Sequence, residues 1–125
     1  MCMVRLVVAG KNNGFEARVL RDMQERMIKN FMDVIVMTEL RIGPLSGYDV
    51  ISYINSKFNV LMSSGTVYSF LYSLERNGLV EGVWKERKRT YELTDKGEET
   101  ITTILGAQEK IKAFLSNILK PQQPT

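Results

Sequence analysis

Four cations crowd into Lys85-Glu86-Arg87-Lys88-Arg89, and a hydroxyl-rich run comes before them at Ser64, Gly65, Thr66, Tyr68, Ser69 and Tyr72, followed by Arg76. Guanidinium and ammonium groups bind phosphate oxygens through charge-assisted hydrogen bonds. Hydroxyls donate to the same oxygens, and a glycine lets a backbone come close to them. The chemistry on offer is recognition of a polyanion rather than the making or breaking of bonds.

Composition narrows the alternatives. The chain has no histidine and one cysteine, Cys2, among 125 residues. The usual zinc sites, histidine general bases and histidine-based triads cannot be built from that set. No phosphate-binding loop appears either, since Lys11-Asn12-Asn13-Gly14 lacks the required glycine spacing and the Lys-Ser/Thr pair. An enzyme is therefore disfavoured, and no cofactor is expected. A lone cysteine makes no internal disulfide, which fits a reducing compartment, and Cys2 reads as incidental. The apolar runs Met3–Val8 and Ile35–Met37 are too short to span a bilayer, so a soluble cytoplasmic protein with no membrane partner is expected. Formal net charge is only +3, so the placement of charge matters more than its total.

The elements that must position these residues can be read from period and punctuation. Ser46 can cap a helix to Phe58, with Asp49 three residues on in a capping-box position and Leu45 and Val50 placed as a hydrophobic staple. Asn59 can end it in a left-handed conformation. Ser63 or Ser64 opens a second helix that ends at Asn77-Gly78. Its Val67, Phe70, Leu71 and Leu74 repeat at helical spacing and form the core face. The opposite face carries Ser64, Gly65, Tyr68, Ser69, Tyr72, Ser73 and Arg76. Two capped helices with so short a link suggest a helix-turn-helix, whose second helix enters a DNA major groove. Leu79–Trp84 and Tyr91–Thr94 read as two strands with the basic stretch as their tip, which is the layout of a wing. Tyr48 is expected to pack under its helix. Gly47 and Gly65 are expected to permit close backbone approach.

The flanks read as support. Val4, Leu6 and Val8 allow a short strand. Residues 15–41 are periodic in Leu20, Met23, Met27, Phe31, Val34 and Ile35, with Ile28, Met32 and Val36 widening the stripe. This predicts a largely buried helix, with room for a bend near Met27, that stops at Gly43-Pro44. Residues 96–119 form a last helix with a near-heptad seam of Ile101, Ile104, Leu105, Ile111, Leu115, Ile118 and Leu119, interrupted by Gln108. A polar interruption can set register between paired helices, so this seam is the expected dimer interface. Methionines at 23, 27, 32, 37 and 62 read as flexible core. A pocket lined by them at a dimer centre leaves a small-molecule effector open. The expected organisation is an N-terminal extension over 1–22, a winged-helix domain over 23–94, a dimerisation helix over 95–120 and a tail over 121–125.

Three stretches together resemble a known family. Gly43-Pro44-Leu45-Ser46-Gly47-Tyr48-Asp49-Val50-Ile51 is similar to the GPLSGYDI signature of PadR-like transcriptional regulators. Ser64-Gly65-Thr66-Val67-Tyr68, followed by Leu71, Leu74, Glu75, Gly78 and Leu79, resembles their GTVYxxLxxLExxGLI segment. Tyr91, Leu93, Thr94 and Lys96-Gly97 look like their YxLTxKG close of the wing. Order and spacing hold over about residues 26–100, which makes the set specific where one motif alone is weak.

The resemblance implies a mainly α, winged helix-turn-helix fold with a two-stranded β-wing and a C-terminal dimerisation helix. It implies a homodimeric, sequence-specific regulator, usually a repressor, with double-stranded DNA as partner. Carried over residue by residue, DNA contact falls on Ser64, Thr66, Tyr68 and Ser69, with Arg87, Lys88 and Arg89 in the wing; the residues themselves add Gly65, Tyr72, Arg76 and Lys85. The chain departs from the pattern in a shorter wing tip and in its first 22 or so residues, which have no counterpart. Some relatives bind flat aromatic drugs through a tryptophan in the dimer helix. Here the only tryptophan is Trp84, in the wing strand, so that mode does not transfer. The competing expectation is a winged-helix protein-interaction module without direct DNA readout, since fold does not fix function.

Overall fold

The computed structural model describes residues 13–122, and the strand expected at Val4–Val8 and the Cys2 thiol lie outside them. The chain divides into two compact units, residues 1–35 and 36–125. In chain order the described elements are α1 (Asn13–Asn30), α2 (Met32–Leu40), β1 (Leu45–Ser46), α3 (Gly47–Phe58), α4 (Ser64–Arg76), β2 (Val80–Lys85), β3 (Lys88–Leu93), α5 (Asp95–Gly106) and α6 (Gln108–Ile118). No helix among the described residues is long and apolar enough to cross a membrane.

The helix expected over 15–41 is two helices, and the interruption is at Phe31 rather than Met27. The i to i−4 ladder carries across it: Phe31 N–H donates to Met27 C=O and Ile35 N–H to Phe31 C=O, each at 2.9 Å. In the first unit Ile28 and Met32 are buried. Phe15, Val19, Leu20, Met23, Met27 and Phe31 are exposed in the single chain. The largely buried helix of the sequence reading is therefore corrected: burial follows the Ile28–Met32 stripe, not the Leu20–Met23–Met27–Phe31 one.

The second unit holds the wing and the paired helices. Its core contains Val36, Met37, Leu40, Val50, Ile54, Met62, Val67, Leu71, Leu74, Val80, Tyr91 and Ile101. Ser46 caps α3 as its residue type demands: its Oγ accepts from Asp49 N–H, and Asp49 accepts from Ser46 N–H in return. Asn59 ends the helix at φ 53 and ψ 44, the left-handed region that asparagine tolerates. The Asn55 side chain accepts from Met62 N–H and orders the link to α4. Ser63 caps α4 by accepting from Thr66 N–H.

The sheet has three strands in the order β1-β3-β2, all antiparallel, rather than the two expected. The extra strand, Leu45–Ser46, pairs with Tyr91 and Thr90. Ser46 is thus both a strand residue and the α3 cap, so the start of α3 is tied directly to the wing. The hairpin is tighter than expected as well. Lys85 and Lys88 pair as strand residues, leaving Glu86 and Arg87 as a two-residue turn with φ of 48° and 67°. Positive φ at both central residues matches the right-handed twist of the strands, although neither residue is the usual Asn or Gly.

The single C-terminal helix is also corrected to two helices that meet at Gly106-Ala107. Thr94 caps the first by accepting from Gly97 N–H. Ile101 is fully buried within the single chain, so it belongs to the core and not to the expected dimer seam. Ile104 and Leu105 are half-buried, Gln108 is exposed, and no residue of α6 is buried.

Candidate nucleic-acid interface

The cap on α4 leaves its first turn on the surface, with Ser64 and Gly65 exposed. Among the described residues, leaving aside its chain neighbours and its own helix backbone, nothing lies within 4 Å of the position a Cβ at Gly65 would take, so the close approach expected there is not made within the single chain. Thr66 shares a 2.7 Å hydroxyl contact with Ser63. Ser69 is exposed one turn on from Gly65 and Thr66. Tyr72 is exposed and carries the Arg76 guanidinium 5.6 Å from its ring centre, so these two present a joint aromatic and cationic surface.

Tyr68 bridges the two helices. A Cβ on Gly47 would overlap its phenol ring, so the missing side chain at 47 is what lets the ring lie on the first turn of α3. There Tyr68 helps line a cleft of about 460 Å³ with Ser46, Gly47, Tyr48, Trp84, Arg87, Lys88, Arg89 and Tyr91. Tyr91 is buried, and that burial pushes its phenol pKa above the usual range. Tyr48 and Trp84 are 72% and 70% exposed.

Tyr48 therefore does not pack under its helix, which corrects the sequence reading. It lies roughly a third of a turn from the buried stripe Gly47–Val50–Ile54, a displacement visible in the spacing alone. Trp84 was not singled out for this surface. Strand alternation sets it on the same side as Val80 and Gly82, beyond the end of the part covered by α4.

The four wing cations differ in their commitments. Lys85 Nζ lies 3.6 Å from Glu92, and Lys88 Nζ lies 3.9 Å from Asp49. Both pairs are long and solvent-exposed, the kind that contributes only about 0–1 kcal/mol, so either cation is easily redirected to an outside anion. Among the described residues Arg87 makes no ion pair or hydrogen bond, and it stands at the turn. Arg89 is different. Its Nη2 donates to both Glu75 carboxylate oxygens, at 2.9 and 2.7 Å, and its guanidinium lies 5.5 Å from the Tyr91 ring centre. Alternation again accounts for it: Arg89 and buried Tyr91 are two apart on β3, so both face the helices.

The capping box adds one carboxylate beside the cleft. The backbone N–H of Ser46, then its side chain, hold the Asp49 carboxyl below its ordinary value of 3.8, with a smaller contribution from Lys88. Among the described residues no cluster of acidic, histidine or cysteine side chains could hold a metal ion. The assembled surface is an open, aromatic-walled cleft flanked by cations, with Tyr68 of α4 on its wall, and it suits a sugar-phosphate backbone.

Comparison with known proteins bears on the same segment. The model of the Transcriptional regulator PadR-like family matches residues 36–103, more than half the chain. No curated protein matches. A transcriptional regulator from Clostridium thermocellum is 25% identical, with a TM-score of 0.63 over 76% of this chain and 96% of its own. A PadR-like transcriptional regulator from Bacillus cereus is 20% identical, with a TM-score of 0.67 over 78% and 99%. Bacillus subtilis PadR in complex with operator DNA is 22% identical, with a TM-score of 0.52 over 75% of this chain and 49% of that one.

Proposed function

The chain belongs to the PadR-like family of transcriptional regulators, and from that membership we propose that it binds operator DNA as a homodimer and acts as a repressor. The observation that carries the DNA reading is the open cleft where Tyr68 of α4, the start of α3 at Gly47 and Tyr48, and the wing residues Trp84 and Arg87 come together. The fold neighbour solved with operator DNA supports the same use of the fold.

In this reading α4 lies in a major groove. Ser64, Gly65, Thr66 and Ser69 set its depth, and Tyr72 with Arg76 meets the flanking backbone. Arg87, Lys85 and Lys88 supply most of the electrostatic attraction from the wing. Few of these side chains read base edges, so specificity leans on Thr66, Ser69 and DNA shape.

The homodimer reading rests on α6. Ile111, Phe114, Leu115, Ile118 and Leu119 recur at helical spacing and are all exposed in the single chain. With Ile104, Leu105 and Gln108 they form the proposed seam. A two-fold dimer then asks for a pseudo-palindromic site with half-sites about 34 Å apart.

The test is selection from a random DNA pool with the full chain, followed by affinity measurement over a salt series. An enriched sequence bound with steep salt dependence is expected. Failure to enrich any sequence, with no salt-sensitive binding, would turn the reading toward a protein-interaction module.

A further inference from the structure

We propose that Glu75 is a positioning residue for DNA binding: it clamps the wing to α4 and takes Arg89 out of the set of DNA-contacting cations. The inference rests on the DNA-binding reading above and goes beyond it, because it assigns a role to an acidic residue and removes one from a basic residue.

Three elements meet at the Glu75 carboxylate. Glu75 sits in the last turn of α4 and accepts from Gly82 N–H on β2 at 3.1 Å. It also accepts two hydrogen bonds from Arg89 Nη2 on β3. One carboxylate therefore joins the groove-facing helix to both strands of the wing. Its oxygens are used inside the protein, and the wing's angle to the helix is held partway along the hairpin.

Gly82 is part of the device. A Cβ at this position would overlap the Arg89 guanidinium, so the guanidinium reaches Glu75 across a strand residue that has no side chain. Tyr91, opposite Gly82 in the ladder, stacks beneath the same guanidinium. Arg89 is fixed on two sides and from below.

Electrostatics alone predicts the opposite behaviour. A carboxylate near a DNA-binding face repels phosphate, so neutralising it should tighten binding. An arginine in a basic wing should count as a phosphate contact, and its loss should flatten the salt dependence by about 0.9 in log–log slope. A clamp makes neither prediction. Its loss lets the wing swing, which weakens binding while the number of phosphate contacts stays the same.

The experiment measures affinity over a salt series for DNA enriched by the wild-type full chain, using wild type, Glu75→Gln, Arg89→Gln and Gly82→Ala. Wild type that binds no DNA would overturn the function proposed above and not this assignment alone. Given wild-type binding, Glu75→Gln is expected to lose affinity about threefold to tenfold. Arg89→Gln is expected to lose a similar factor at unchanged slope. Gly82→Ala leaves both charges in place but evicts the guanidinium, and it is expected to follow Glu75→Gln. Thermal melts separate loss of the fold from loss of the clamp, and Gly82→Ala keeps the test usable if either charge variant unfolds. Equal or tighter binding by Glu75→Gln, or a slope about 0.9 shallower in Arg89→Gln, would overturn the assignment.

Discussion

The phenol ring of Tyr68 lies directly over Gly47, so a residue of α4 is seated on the backbone of the helix before it. This contact sets the spacing of α3 and α4 at the exposed end of the pair. Gly47→Ala should therefore do more than crowd one side chain. Overpacking costs about 1–3 kcal/mol. Chemical denaturation should show a lower midpoint, and DNA affinity should drop further than lost stability explains. Unaltered affinity in a folded variant would mean that the ring moves aside without consequence.

Tyr48 and Trp84 are neutral donors on the cleft wall, whereas Arg87 is a charge. Tyr48→Phe and Trp84→Phe should weaken DNA binding with no change in salt slope. Arg87→Ala should weaken binding to all sequences and reduce the slope by about 0.9. Binding isotherms at several salt concentrations separate the two behaviours.

The capping box makes α3 sensitive to acid. Asp49 has its folded-state pKa lowered, chiefly by the Ser46 backbone N–H. The stability it contributes is thus complete above its ordinary pKa of 3.8 and is lost as pH falls through the lower folded value. Ser46→Ala should cost about 1 kcal/mol at neutral pH. Asp49→Asn should blunt the loss of stability below about pH 4. Denaturant midpoints across an acid series check both.

The wing turn holds Glu86 at φ 48, in the left-handed region. An ordinary L-residue there costs roughly 1–2 kcal/mol, and asparagine less. Glu86→Asn should raise the melting temperature. A melting temperature equal to or below wild type would show that the turn is not strained.

Ile101 and Ile111 were expected in one seam, yet one is fully buried and the other exposed. Ile101→Ala should destabilise the fold by about 2–5 kcal/mol, as core truncations do. Ile111→Glu with Leu115→Glu should leave the fold intact and give monomers in sedimentation velocity. A persistent dimer would place the interface elsewhere.

Much of the fold was legible because its signals are local. The Ser46–Asp49 box, the Asn59 stop, the Ser63 cap and the Val67–Leu71–Leu74 stripe each depend on residues within a turn or two of one another. The same holds for the hairpin, whose basic tip was placed within a few residues. The break at Phe31 was expected about one turn early, near Met27, because the apolar stripe continues past it, and the break at Gly106-Ala107 was not expected because the heptad spacing continues past Ala107.

By itself, then, the sequence determined the order and the caps of α3, α4 and the hairpin, and the buried face of α4, since these follow from short-range sterics and hydrogen bonding. Which cations are free was decided only in three dimensions. Lys85, Arg87, Lys88 and Arg89 are near-equivalent along the chain. The hairpin register places Arg89 opposite Trp84 and beside Tyr91, within reach of a carboxylate fourteen residues earlier, while it leaves Arg87 alone at the turn. A charge acquires its role from the partners that packing brings within a few ångströms, and those partners are distant in sequence.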